Sequence, residues 1–297
     1  MMFRCTTLAA ALAASALLLT ACGGEDDTTT EPPVEEAPEF EAGTTMAELS
    51  EAGSIRIGTK YDQPGFGLEN LEGELEGFDV EVAKIIAGAL GIAPEDIEWT
   101  ETPSAVREEV LEGDPADVDM VVATYTINDA RKERITFAGP YYTAGQQIMT
   151  LADDDRINGP EDLAANPDVK ICSLEGSTPS ETIRDYLASP DQLVLFKEGY
   201  SQCEDAMSNG QVQAMTTDNV ILLGFAAESD GAYKLVGEQF TEEPYGIGIA
   251  KGDVEFCEFI NETLAENEDA YLAAWDATAG QIEGTQAPEL PEPDACS

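Results

Sequence analysis

Phe78-Asp79-Val80-Glu81-Val82-Ala83-Lys84-Ile85-Ile86-Ala87-Gly88-Ala89-Leu90 is the stretch on which the fold turns. Phe78, Val82, Ile86 and Leu90 recur every four residues and make one apolar stripe, so the segment reads as an amphipathic helix. Ser54–Thr59 before it and Ile97–Thr100 after it read as strands, and Val118–Ala123 reads as a buried strand. Strand, helix and strand in alternation imply an α/β fold whose sheet is mostly parallel and flanked by helices.

The same rhythm restarts further along. A strand at Val169–Ser173 is followed by a helix at Ser180–Leu187, a strand at Leu193–Phe196, a helix at Ser201–Ser208, a strand at Gln213–Thr216 and a helix at Asn219–Glu228. Tyr245–Ala250 then reads as a strand, and Val254–Thr278 as helices with no sheet of their own, which sends the chain back to the first lobe. The expected layout is lobe 1 over 51–148 plus 245–284, lobe 2 over 149–244, and an acidic tail over 285–297 held by Cys296. Two crossings would set the segments near Gln147–Leu151 and Glu243–Gly246 side by side as a two-segment hinge. Open α/β sheets take ligands beyond the carboxyl ends of their strands, so function is to be sought in the cleft between the lobes.

Ahead of the lobes, Arg4 precedes an apolar run from Leu8 to Leu19 that is too short to cross a bilayer and reads as an export signal over 1–21. Leu19-Thr20-Ala21-Cys22 resembles the lipobox of bacterial lipoproteins. That resemblance implies a lipid on Cys22 and a place on the extracytoplasmic face of the cell membrane; an ordinary signal cleaved near small residues is the alternative. Residues 22–50 are rich in Glu, Asp, Thr and Pro and read as a disordered acidic tether, with the folded part beginning near Gly53.

Asp and Glu number 60 against 14 Lys and Arg, with no His, for a formal charge of -46. This balance argues against nucleic acid or anionic lipid as partners and reads as adaptation to high salt or high pH, with drift toward acidity as the alternative. Once the signal is removed and Cys22 acylated, Cys172, Cys203, Cys257 and Cys296 remain, which outside the cytoplasm suggests two disulfides. Sequence permits three pairings. The first two cysteines fall in one lobe and the last two late in the chain, so the sequential pairing is expected. Without His or a CxxC spacing no metal site is expected, and nothing calls for a cofactor.

Basic residues are scarce, so those at strand ends carry weight. Lys60 follows the first strand, Arg107 opens a helix expected after the second, and Arg131 lies just beyond Thr124-Tyr125-Thr126. A guanidinium matches a carboxylate with a planar fork of donors, and threonine hydroxyls add further donors. Gly176-Ser177-Thr178 leads into a helix whose free N–H groups favour an anion, and Asp218 would accept from an ammonium. Together these describe a site for an amino acid.

Gly77-Phe78-Asp79-Val80-Glu81-Val82 with Ile86-Ala87 and Leu90 resembles the signature of the polar amino-acid solute-binding proteins of ABC importers, family 3. The resemblance runs from about Gly53 to Gly280 and includes Asp119, Thr124-Tyr125-Thr126, Arg131, Phe137, Pro140-Tyr141, Gly176-Ser177-Thr178, Asp218 and Tyr245-Gly246-Ile247. It implies a two-lobed periplasmic-binding-protein fold of type II, acting as a monomer that closes on its ligand and delivers it to membrane permease subunits. By position, Arg131 would clamp the α-carboxylate with Thr124, Thr126 and Thr178, and Asp218 would pair with the α-ammonium; Ser177, at the same helix start as Thr178, is counted with the ligand-binding residues. Lys60 and Arg107 resemble the positions that hold a side-chain carboxylate in glutamate and aspartate binders. The stretch from Gly58 to Gly67 is similar to actinobacterial glutamate-binding lipoproteins, so L-glutamate is the expected ligand, with glutamine or another polar amino acid as alternatives.

Each residue has a plainer reading. Lys60 and Arg107 could be solvated charges at a lobe edge, Arg131 a surface residue beside Lys132 and Arg134, and Asp218, Ser177 and Thr178 helix caps. An enzyme on the same scaffold, a dehydratase or lytic transglycosylase with Glu175 as general acid, is the competing function class. No catalytic residue is expected.

Overall fold

The structure is a computed structural model that describes residues 38–297. The signal, Cys22 and the tether as far as residue 37 lie outside the described residues. The fold begins earlier than Gly53, because Thr45–Ala52 forms helix α1. The Thr44 side chain caps its first turn by accepting from the Ala47 N–H, and Gly53, left-handed at φ 68°, closes it with its N–H on the Leu49 carbonyl. Leu49 is buried in the main core, and Phe40 packs edge-on against Phe259 at 5.5 Å. These few apolar residues are diluted by acidic neighbours, which hid them in composition.

Strand β1 (Ile55–Thr59) leads into a small antiparallel sheet of β2 (Asp62–Gln63), β3 (Gly67–Glu69) and β4 (Leu75–Glu76), then helix α2 (Phe78–Ala89). Phe78, Val82 and Ile86 are all fully buried, as the stripe requires, and Leu90 ends the helix. Next come β5 (Ile97–Glu101), the short β6 (Met120–Val121), the one-turn helix α3 (Asp129–Lys132) and the long β7 (Thr136–Ala144). Lobe 2 contributes β8 (Gln146–Leu151), β9 (Ile171–Leu174), α4 (Thr178–Thr182), β10 (Leu193–Phe196), α5 (Ser201–Ser208), β11 (Ala214–Asp218), α6 (Asn219–Glu228) and β12 (Tyr233–Val236). The chain then returns through β13 (Glu243–Ile249), α7 (Val254–Glu266) and α8 (Glu268–Ala277). The helix expected over Ser180–Leu187 is instead the short α4 followed by a 3-10 turn over Ile183–Tyr186.

The two five-stranded sheets share one plan, β5-β1-β6-β13-β7 in lobe 1 and β10-β9-β11-β8-β12 in lobe 2. Within each, one strand runs against the other four: β13 in the first sheet, β8 in the second. These are the strands on which the chain enters a lobe from the other. The crossing therefore sits at Gly145, upstream of 147–151, which lie wholly inside β8. The two crossing segments do run side by side: Ala144 pairs with Glu243, the Phe240 N–H donates to the Gln146 carbonyl, and the Gln146 N–H to Thr241 Oγ1.

Cys172 is joined to Cys203, tying β9 to α5, and Cys257 to Cys296, tying α7 to the C-terminal segment, with Cα separations of 5.8 and 5.9 Å. That segment lies along lobe 1, where the Asp294 N–H donates to the Gly139 carbonyl and Lys132 pairs with Asp294 at 2.9 Å. No helix of the described residues is long and apolar enough to cross a membrane.

Candidate functional site

The carboxyl ends of β1, β5 and β6 face those of β9 and β11 across a cavity that is nearly closed, far smaller than an ordinary ligand pocket. Arg107, Thr124, Thr126, Ser177, Thr178 and Asp218 line it, as do Gln63, Ser104, Tyr200 and Thr217. Lys60 and Arg131 stand directly behind the lining. Three larger clefts run along the C-terminal segment or between α6 and the β3–β4 hairpin, and no Lys or Arg lines these three.

Lobe 1 brings three cations together, and none is solvated: Lys60, Arg107 and Arg131 are 3, 2 and 6% exposed. Lys60 Nζ donates to the Thr102 carbonyl and to Ser104 Oγ, both at 3.0 Å. Burial, reinforced by Arg107, pushes the Lys60 amine well below its ordinary range. Arg107 Nη1 donates to the Ala123 and Thr124 carbonyls at 3.0 and 3.1 Å, which leaves its buried Nε with no acceptor. Arg131 donates from Nε to Glu108 at 3.1 Å, from Nη1 to the Thr126 carbonyl at 2.6 Å and Thr178 Oγ1 at 3.2 Å, and from Nη2 to the Gly176 carbonyl at 2.9 Å. Burial lowers it to about 10. Both guanidinia lie over the Tyr125 ring, at 4.2 and 5.0 Å from its centroid, so one buried aromatic ring supports two positive charges. Tyr125 is thus part of the site's support, whereas Phe66 belongs to the core with Phe78, Tyr142, Tyr245 and Trp275.

Lobe 2 answers with one carboxylate and one helix start. Asp218 ends β11 and does not cap α6 with its side chain. Its Oδ2 accepts from the Tyr245 hydroxyl of lobe 1 at 2.6 Å, and its buried Oδ1 has no partner. Burial and then the neighbouring Glu243 raise Asp218 to about 7, against the pull of Tyr245, Arg107 and Arg131. Ser177 does cap α4, accepting from the Ser180 N–H at 3.1 Å, and lines the cavity as well. Gly176, at φ 77°, lets the lobes meet: a Cβ there would stand 2.7 Å from the Ala105 Cα of lobe 1. Asp62 of lobe 1 also accepts from the Ser201 N–H of lobe 2 at 2.9 Å, so the lobes are closed on the cavity.

Sequence reasoning did not single out Gln63, Ser104 or Thr217. Gln63 offers a buried, unpartnered Nε2 while its Oε1 accepts from Thr124 Oγ1 at 3.0 Å, and Thr217 has an unpartnered hydroxyl. Both sit within three residues of Lys60 or Asp218 at strand ends, the signal that could have found them. Glu175 is exposed and paired with Lys197 at 3.5 Å, outside the cavity lining.

Residues 55–273 match the bacterial extracellular solute-binding proteins, family 3. The chain is 42% identical over 233 residues to the glutamate-binding protein GluB of Corynebacterium efficiens, a match covering 75% of this chain and 77% of the relative. It is 36% identical over 230 residues to the ABC transporter glutamine-binding protein GlnH of Bacillus subtilis, covering 77% and 81%. Among solved structures, an ancestral arginine-binding protein bound to glutamine superposes with a TM-score of 0.69 at 31% identity, covering 78% of this chain and 99% of that one. These relatives are binding proteins, so the chain is no enzyme. With its paired sheets, double crossing and closed cleft, the chain belongs to the bacterial extracellular solute-binding proteins of family 3 and has their two-lobed type II architecture.

Proposed function

We propose that this chain is the extracytoplasmic binding lipoprotein of an ABC importer, which captures L-glutamate by closing its lobes and delivers it to the permease. The observation that carries the reading is the opposition across one cavity of the Arg107 guanidinium, stacked on Tyr125 with Arg131 behind the lining, and the unpartnered oxygen of Asp218. Such a site takes carboxylates on the lobe 1 side and an ammonium on the lobe 2 side. Likeness to GluB supports glutamate, and Leu19-Thr20-Ala21-Cys22 supports the anchor. Local contacts at about 3 Å outweigh the repulsion of a distributed, screened surface charge.

Glutamine is the second reading, favoured by Lys60: its Nζ is already held by Thr102 and Ser104 and its charged form is disfavoured by burial. Calorimetry with glutamate, glutamine, aspartate, arginine and glutarate tests both. Glutamate should bind most tightly, and glutarate, which lacks the ammonium, should bind weakly or not at all. Equal binding of glutarate would remove Asp218 from the site. Replacing Cys22 by Ser should release a chain that still binds glutamate, whereas continued membrane attachment would refute the anchor.

A further inference from the structure

Asp79, in the signature stretch that opens α2, is a carboxylate with no exposure at all and no contact with the cavity. Its Oδ2 accepts from the Thr124 N–H at 2.7 Å and its Oδ1 from the Tyr141 hydroxyl at 2.6 Å. Thr124 lines the cavity at φ 43°, a left-handed backbone conformation that a β-branched residue adopts rarely and only when its surroundings impose it. The only other non-glycine residue with positive φ among the described residues is Asp230, in a lobe 2 turn.

We propose that Asp79 is a positioning residue: by accepting the Thr124 N–H it imposes the left-handed turn that sets the lobe 1 face of the ligand site. The turn matters because of what hangs on it. The Thr124 and Ala123 carbonyls receive Arg107 Nη1, and Thr124 Oγ1 donates to Gln63, so one backbone conformation fixes a guanidinium, a hydroxyl and an amide together. If Thr124 relaxed to an ordinary φ, its carbonyl would leave Arg107 and its hydroxyl would leave Gln63. A carboxylate suits the task because both groups facing it are donors, one N–H and one O–H. Burial alone opposes an ionised acid there, and it raises Asp79 to about 7 even with the Tyr141 and Thr124 bonds drawing it down. Retaining an acid in so dry a place is what a geometric role in the binding turn would demand.

The inference rests on the reading of the cavity as an amino-acid site, and the test separates the two. Glutamate affinity is measured for the full chain, for Asp79→Leu, which fills the volume without an acceptor, and for Asp79→Asn, which keeps one. Each is also made with Thr124→Gly, since glycine adopts positive φ without being held. The expected result is a loss of about tenfold or more in Asp79→Leu, partial recovery in Asp79→Asn, and a cost below about twofold for Asp79→Leu once Thr124 is glycine. Should Asp79→Leu not fold, the comparison of Asp79→Asn with and without Thr124→Gly decides by the same criterion. Unaltered affinity in the Asp79 variants, or an equal loss in both backgrounds, would make Asp79 a core residue only. A wild-type chain that bound no amino acid would instead overturn the functional reading, and this proposal with it.

Discussion

Lobe 1 and lobe 2 repeat one sheet plan, with the same strand order and the same single reversed strand, yet they equip the cleft in opposite ways. The lobe 1 face is positive and held by the chain's own groups: Arg107 and Arg131 are clamped by carbonyls, Glu108 and the Tyr125 ring, with Lys60 behind them. The lobe 2 face contributes no cation. It offers an acid raised to about 7 by burial and by Glu243, and a short helix capped by Ser177. Shared topology thus supplies two sets of strand ends, and under the proposed function the residues placed on them would divide the labour, anion recognition on one lobe and ammonium recognition on the other. Groups positioned in advance on a rigid face lose little entropy on binding, which is what a carrier that must both hold and release its cargo requires.

That division can be broken at several points. The largest expected effect is on the positive face: Arg131→Ala leaves Glu108 buried without its partner and removes bonds to Gly176 and Thr178 of lobe 2, so glutamate affinity should drop about 100-fold or more by calorimetry. A loss confined to thermal stability would mean that Arg131 holds the fold and not the ligand. Next comes the negative face. Asp218 must be ionised to receive an ammonium, and the ion pair then lowers its proton affinity below that of the free chain. Binding therefore releases a proton below about pH 7, and affinity falls as pH drops through that value. Asp218→Asn should weaken binding by about tenfold and abolish this part of the pH dependence. An unchanged pH profile in Asp218→Asn would assign the titration to Glu243 or another neighbour.

The smallest expected effect lies on the seam between the faces. Asp62 caps the N-terminus of α5 from the opposite lobe, where Tyr200 provides no side-chain cap of its own. Asp62→Ala should weaken glutamate and glutamine equally, by about two- to fivefold, because only the closed form loses the contact. An effect on one ligand alone would place Asp62 in the specificity pocket.

Much of the placement of these residues was legible in the sequence because strand ends follow short apolar runs. The α2 stripe, β1 and β10 sit within a residue of the expected bounds, and all eight residues named for ligand binding converge on one cavity or stand directly behind it. β7 was not legible because Pro140 lies in its middle, and proline reads against a strand; β7 is the edge of its sheet, where a missing N–H is tolerated. β6 proved shorter than Val118–Ala123 at both ends, and the left-handed Thr124 lies just beyond it, a conformation that no periodicity reveals. Lys60 and Arg107 looked as much like edge charges as like site residues. Their burial depends on partners 16 to 44 positions away, Thr102 and Ser104 for one and Ala123 and Thr124 for the other.

The division of labour is tested most directly by the ratio of glutamate to glutamine dissociation constants, measured in the wild-type chain and in Arg107→Ala. Since Arg107 is the lining cation with a buried N–H still unpartnered, wild type should prefer glutamate, and the preference should collapse in the variant by about tenfold or more. A wild-type chain that binds glutamine as tightly as glutamate, or an Arg107→Ala variant that keeps the full preference, would contradict the assignment of the positive face to an acidic ligand.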